Sequence, residues 1–120
     1  MLIFDSVKLN LLDVIKNPYG NYFVQTIMKT CNMMQIELFN KLILENIFTF
    51  SAHKFASNVV LKFLEIGSKK DQKIFISNFF NLESLVENKK NKYTISVLIK
   101  CIDLMNNEVL NAFKKALKYI

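Results

Sequence analysis

Side-chain catalysis needs nucleophiles, acids and bases gathered in one place, and this 120-residue chain has few to gather. It holds one histidine, His53, and two cysteines, Cys31 and Cys101, which lie seventy positions apart. That spacing forms no CxxC pair, no zinc pattern and no disulfide framework of the secreted kind. There is no glycine-rich phosphate loop, no HExxH, and no pair of carboxylates set on one helical face in a cleft-like context. His53 therefore reads as a loop or helix-start residue satisfied by hydrogen bonds, and the cysteines as core filler. The expectation is a protein that is not an enzyme and takes no metal, cofactor or small-molecule substrate.

What the chain does repeat is a short grammar. Three segments align: Asn17 to Gln25 (NPYGNYFVQ), His53 to Leu61 (HKFASNVVL) and Asn91 to Ile99 (NKYTISVLI), spaced 36 and then 38 residues apart. Each has a polar residue, an aromatic two positions on (Tyr19, Phe55, Tyr93), a small residue, two variable positions and two apolar ones. Periods of this length signal a solenoid, in which each unit buries its apolar face on the next.

The elements that carry this grammar are helices. Asn17 before Pro18 reads as an N-cap with proline in the first turn, and Asn91 caps the third copy likewise. At 100° per residue, Asn21, Gln25 and Tyr22 fall at about 0°, 40° and 100°, while Phe23, Ile27 and Val24 fall at about 200°, 240° and 300°. Ser57, Leu61 and Asn58 occupy the first arc in the second copy, opposite Phe55, Val59, Phe63 and Val60, and Ile95, Ile99 and Ser96 occupy it in the third. Further amphipathic stretches run over 35–46, 70–80 and 106–120, so each period holds more than one helix. With 2 Gly and 1 Pro, the chain has too little turn punctuation for a β-sandwich or a Rossmann-like domain. The reading is one all-α domain over 1–120, a right-handed α-solenoid of about three units, with principal helices near 18–30, 54–66 and 92–104.

Charge and hydropathy set the surroundings. A mean hydropathy of +0.21 with 22% charged residues is too apolar for a disordered chain and too interrupted for a membrane span. The net charge of +6 hints at a polyanionic partner, but all 16 basic residues are Lys, which reads partly as compositional bias. The N-terminus, Met-Leu-Ile-Phe-Asp, has neither the charged region nor the apolar run of a signal peptide, which with the cysteine usage points to the cytoplasm.

These residues resemble the Pumilio (PUF) family: Tyr19-Gly-Asn-Tyr-Phe-Val-Gln25 looks like its reading-helix motif, and His53-Lys-Phe-Ala-Ser-Asn-Val-Val60 looks closer still. The resemblance covers nearly the whole chain, as a C-terminal set of about three repeats. It implies stacked three-helix repeats whose concave face binds single-stranded RNA, one base per repeat. It also implies messenger RNA as partner, post-transcriptional regulation through 3′-untranslated regions, and recruited protein partners. Carried over, Asn21 and Gln25 hydrogen-bond a uracil edge and Tyr22 stacks on a neighbouring base; an amide pair offers both donors and acceptors to the O and N–H groups of uracil. Ser57 and Asn58 match the guanine-reading repeat, but Leu61 stands where a glutamate would accept from the base, so this copy makes contact without discriminating. Ile95, Ser96 and Ile99 read nothing.

Two other readings stand beside RNA regulation. Loss of polar reading residues in the third copy, and of the glutamate in the second, suits a degenerate repeat used as a protein scaffold, with Leu61, Ile95 and Ile99 as an apolar strip. Lysine and backbone contacts suit sequence-tolerant RNA binding in ribosome assembly. Lys62 and Lys100 flank the reading helices as candidate phosphate contacts.

Overall fold

A computed structural model describes residues 10–118. Eight helices and no strand occur among them: α1 (described over 10–15), α2 (Gly20–Thr30), α3 (Met33–Glu45), α4 (Ile47–Ser51), α5 (Ala56–Ile66), α6 (Lys69–Phe79), α7 (Leu82–Glu87) and α8 (Lys92–Leu117). The middle helices α2, α5 and α8 stack in order, α2 on α5 and α5 on α8, while α3 packs on α6 behind them and α4 lies against α3, α5, α6 and α8. The result is an all-α repeat solenoid, elongated at 58 × 35 × 22 Å.

Local sequence dictates the breaks. At Asn17 the side-chain Oδ1 accepts from the backbone N–H of Tyr19 and Gly20, both at 2.9 Å. His53 does the same through Nδ1 for Phe55 and Ala56, both at 3.1 Å, and Asn91 through Oδ1 for Tyr93 and Thr94 at 3.0 and 2.9 Å. Two different residue types at one equivalent position of the period thus make the same cap. In the first two copies the cap closes a turn, and the helix begins at Gly20 and Ala56, two residues later than the spacing predicts. The α2 to α3 break falls at Cys31, extended at φ −74°, ψ 160°, followed by a capping box between Asn32 and Gln35. The α5 to α6 break repeats this at Gly67 (φ −67°, ψ 158°) with Ser68 accepting from the Asp71 N–H.

The third unit departs from this plan. The expected helix near 92–104 and the stretch expected over 106–120, as far as residue 117, are one 26-residue helix, α8; residues 119–120 lie outside the described residues. The residues equivalent to Gly67, Ser68 and Asp71 are Met105, Asn106 and Val109. Methionine favours the helix, and Val109 has no polar group to return to the Asn106 backbone, so nothing stops the chain there.

The core is centred on the second unit. Phe50, Phe63, Phe75 and Phe79 are fully buried, with ring centroids 5.6 Å apart for the stacked pair Phe75 and Phe79 and 5.8 Å for Phe63 and Phe75. Gly20 lets α2 start hard against the end of α1: a Cβ there would run into the Val14 carbonyl oxygen and lie 2.8 Å from its Cγ1.

Burial on α2 does not follow the division that angular spacing predicts. Val24 is buried and Ile27 half-buried, but Phe23 is exposed and Asn21, on the expected open face, is fully buried. The cause is the stack: α5 covers one flank of α2, and no comparable unit among the described residues covers the other.

Candidate nucleic-acid interface

The variable positions of α2, α5 and α8 form three rows across the stack. Tyr22 is the open aromatic of the variable row in the first copy, 63% exposed; Tyr19 and Phe23 of the same copy are exposed as well. Gln25, one turn on from Asn21, is half-buried, and its Nε2 donates to the Asn21 Oδ1 at 3.2 Å.

Asn21 itself is placed differently from the expectation. Its Nδ2 donates to the carbonyls of Asn17 and Pro18, both at 2.9 Å, and its Oδ1 accepts from Gln25 and, at 3.4 Å, from the Asn58 Nδ2. Two donors and two acceptor sites are the full capacity of a carboxamide, so this buried amide has none left for a base edge. It instead ties the start of α2 to α5. Ser57 is likewise closed off: it is buried, and its hydroxyl faces the Lys54 carbonyl at 3.4 Å. In both copies the first position of the triplet is buried in the stack, and that of the first copy bonds to the next unit through Asn58, which a single helical wheel does not contain.

The structure therefore brings Tyr22, Gln25 and Asn58 together as accessible or half-accessible groups around the Asn21 amide, with Leu61 half-buried beyond them. In the third copy Ile95, Ser96 and Ile99 are exposed, and Ser96 spends its hydroxyl on the Lys92 carbonyl at 3.1 Å. This row presents two apolar side chains and no free amide.

A basic cluster lies alongside. Lys62 pairs with Glu65 at 2.9 Å, and that hydrogen bond and charge hold the Glu65 carboxyl below its ordinary range; burial opposes the effect, and Lys100 and Lys29 add smaller contributions to it. Each stacked helix thus contributes one lysine: Lys29 from α2, Lys62 from α5, Lys100 from α8. Lys29 escaped the sequence reading, although its wheel angle of about 80° lies between those of Gln25 and Tyr22.

The groups with chemistry of their own are structural. Burial, and then the charge of Lys16, lower the His53 pKa below 6.5, which keeps Nδ1 unprotonated for its two cap bonds. Cys101 lies in the core with its thiol pushed up to about 12, where it is no nucleophile at neutral pH. No group of three His, Cys, Asp or Glu among the described residues is placed to hold a metal.

Comparison with known proteins matches the Pumilio-family RNA binding repeat over residues 10–43 and 46–78. The chain belongs to the Pumilio family. Those matches are the first unit, α1 to α3, and the second, α4 to α6; the unit with the undivided helix lies outside them. Among solved structures, the Pumilio fold is matched by PUF-8 in complex with PBE-RNA, at a TM-score of 0.73 and 24% identity over 84% of this chain. The chain spans 31% of that protein's length. No curated protein matches it.

Proposed function

We propose that this Pumilio chain binds single-stranded RNA along the face of α2, α5 and α8 and acts by occupancy, without catalysis. The observation that carries this is the open Tyr22 ring beside the half-free Gln25 amide, on the reading helix of a unit that matches the family's RNA binding repeat. Tyr22 offers a π-face to a base, worth about 1–3 kcal/mol. Gln25 leaves its 3.2 Å bond to Asn21 and presents its amide to a uracil edge, while Asn21 fixes the helix start from behind. Asn58 makes a second polar contact, and Lys29, Lys62 and Lys100 meet phosphates. Messenger RNA in the cytoplasm, bound in a 3′-untranslated region, is the proposed target class; the RNA-bound PUF-8 structure supports RNA as the partner.

One stacking ring and one or two amide contacts give only a few kilocalories, and about 4 kcal/mol corresponds to a millimolar dissociation constant. Binding by an isolated chain is accordingly weak. Fluorescence anisotropy with short labelled uridine-rich, adenine-rich and cytidine-rich strands, at two salt concentrations, tests the proposal. Wild type prefers uridine, and Tyr22→Ala with Gln25→Ala abolishes that preference. Binding that ignores both sequence and mutation but collapses with salt would leave only lysine contacts. No binding at all would overturn the RNA assignment.

A further inference from the structure

The two ends of the stack expose what its internal joints bury. On α8 the positions equivalent to Asn21, Gln25 and Met28 of α2, and to Ser57, Leu61 and Leu64 of α5, are Ile95, Ile99 and Ile102. Met28 shares a groove with Phe63 and Ile66 of α5, so this position lies in the joint between units. Leu64 is fully buried, whereas its equivalent Ile102 is 42% exposed, and Met105 one turn on is exposed as well. At the other end, Phe23 of α2 is 64% exposed, although its equivalents Val59 of α5 and Val97 of α8 are fully buried; Tyr19 beside it is open too. A water-facing stripe of isoleucines at one end and a water-facing aromatic pair at the other are costly to leave wet, and each is the kind of surface that marks a contact.

We infer that these faces fit one another, so that a second copy of this chain docks its α2 flank onto the α8 flank of the first. The internal joints are the template. Within one chain, the face of α2 that carries Met28 accepts α5, and the corresponding face of α5 accepts α8; the next acceptor face is that of α8, and the only unused donor flank among the described helices of the stack is that of α2. The proposed contact continues an interface the molecule already makes twice. It also explains why the third copy is apolar at the positions where the first has Asn21 and Gln25: Ile95 and Ile99 serve a joint between chains. Such a contact is heterologous, since the two surfaces differ, and adds chains in series rather than closing a dimer. It stands whether or not the chain binds RNA.

Sedimentation velocity over a range of protein concentrations tests this. The wild-type mass rises from the 14.0 kDa of one chain through successive multiples as concentration increases. A tail-blocked variant, Ile99→Glu with Ile102→Glu, and a head-blocked variant, Tyr19→Glu with Phe23→Glu, each remain a single chain. All four substitutions lie at exposed positions, and far-UV circular dichroism verifies each fold. Mixing the two variants restores one intact head and one intact tail, and yields a complex of twice the chain mass and nothing larger. A wild type that stays monomeric throughout overturns the proposal and leaves these faces to other partners. So does a head-blocked variant that still dimerises, because that would be a symmetric contact between two α8 faces.

Discussion

Helices α2 and α8 hold the same place in their units and do opposite things with it. On α2 the row formed by Asn21, Tyr22 and Gln25 is polar, and its first member is locked by four hydrogen bonds, three within its own unit and one from Asn58 of α5. On α8 the same row is Ile95, Ser96 and Ile99, and the two isoleucines face water. Position within the repeat thus decides which way a side chain points, and the neighbour decides whether it is buried. A triplet read as three independent base contacts is, in the first copy, one structural amide and two accessible groups.

The sharpest way to break this comparison is to delete the same methyl groups at equivalent sites. Leu64→Ala removes a fully buried side chain from α5 and costs about 2–5 kcal/mol, while Ile102→Ala, at concentrations where the chain is monomeric, changes stability by less than about 0.5 kcal/mol. Urea denaturation measures both. Equal losses would mean that α8 is covered within a single chain and that the contrast with α5 is false.

Gly20 separates the units in another way. Its equivalents, Ala56 and Thr94, already carry a Cβ, so the position as such demands no glycine. Only α2 starts against the Val14 carbonyl, and Gly20→Ala forces that contact apart at a cost of about 1–3 kcal/mol by denaturant unfolding. The reverse change in the second unit, Ala56→Gly, opens a small void and adds backbone freedom without any clash, so a larger loss there than at Gly20 would refute this account.

Much of this was legible in the sequence. The period, the helical grammar and the caps at Asn17 and Asn91 were all readable, because a cap and an amphipathic stripe are local properties. The burial of Asn21 and Ser57 was not, since it comes from a helix 36 or more residues away. The joined α8 is half legible: both helical stretches, near 92–104 and over 106–120, are readable, but a break between them needs stop and cap residues, and Met105 and Val109 do not supply them. Phe23 looks like core by its angle and is open because no unit among the described residues covers that flank of α2.

His53 supplies a smaller, pH-dependent difference among three otherwise parallel caps. Asn17 and Asn91 do not titrate, whereas protonation of the His53 Nδ1 removes the acceptor for the Phe55 and Ala56 N–H groups. The folded-state pKa is lowered, so the unfolded chain takes up the proton first as pH falls. The cap's contribution is therefore complete above about pH 6.5 and is lost as the pH falls from there through the folded-state value. Thermal unfolding across neutral and mildly acid pH should show this decline in wild type and a flatter profile in His53→Asn, which keeps a capping oxygen. At neutral pH, His53→Ala costs about 1 kcal/mol. A wild-type profile identical to that of His53→Asn would show that the ring does not act as this cap.

The smallest expected effect lies where the three helices are alike rather than different. Each brings one lysine, Lys29, Lys62 or Lys100, toward Glu65, and the 2.9 Å ion pair occupies the Lys62 ammonium. A pair whose carboxylate partner is exposed adds little to stability, so its main consequence falls on what else Lys62 can bind. Glu65→Gln removes one negative charge from the face proposed to meet phosphates and frees that ammonium, while leaving Tyr22 and Gln25 untouched. If RNA lies across α2, α5 and α8, the plot of log affinity against log salt steepens by about 0.7, the value of one further phosphate contact on a single strand. The preference for uridine does not change, because no group on the base edge has been altered. A variant whose salt slope matches wild type would place the phosphates elsewhere, and one that gains affinity equally at every salt concentration would point to a contact other than Lys62 with phosphate.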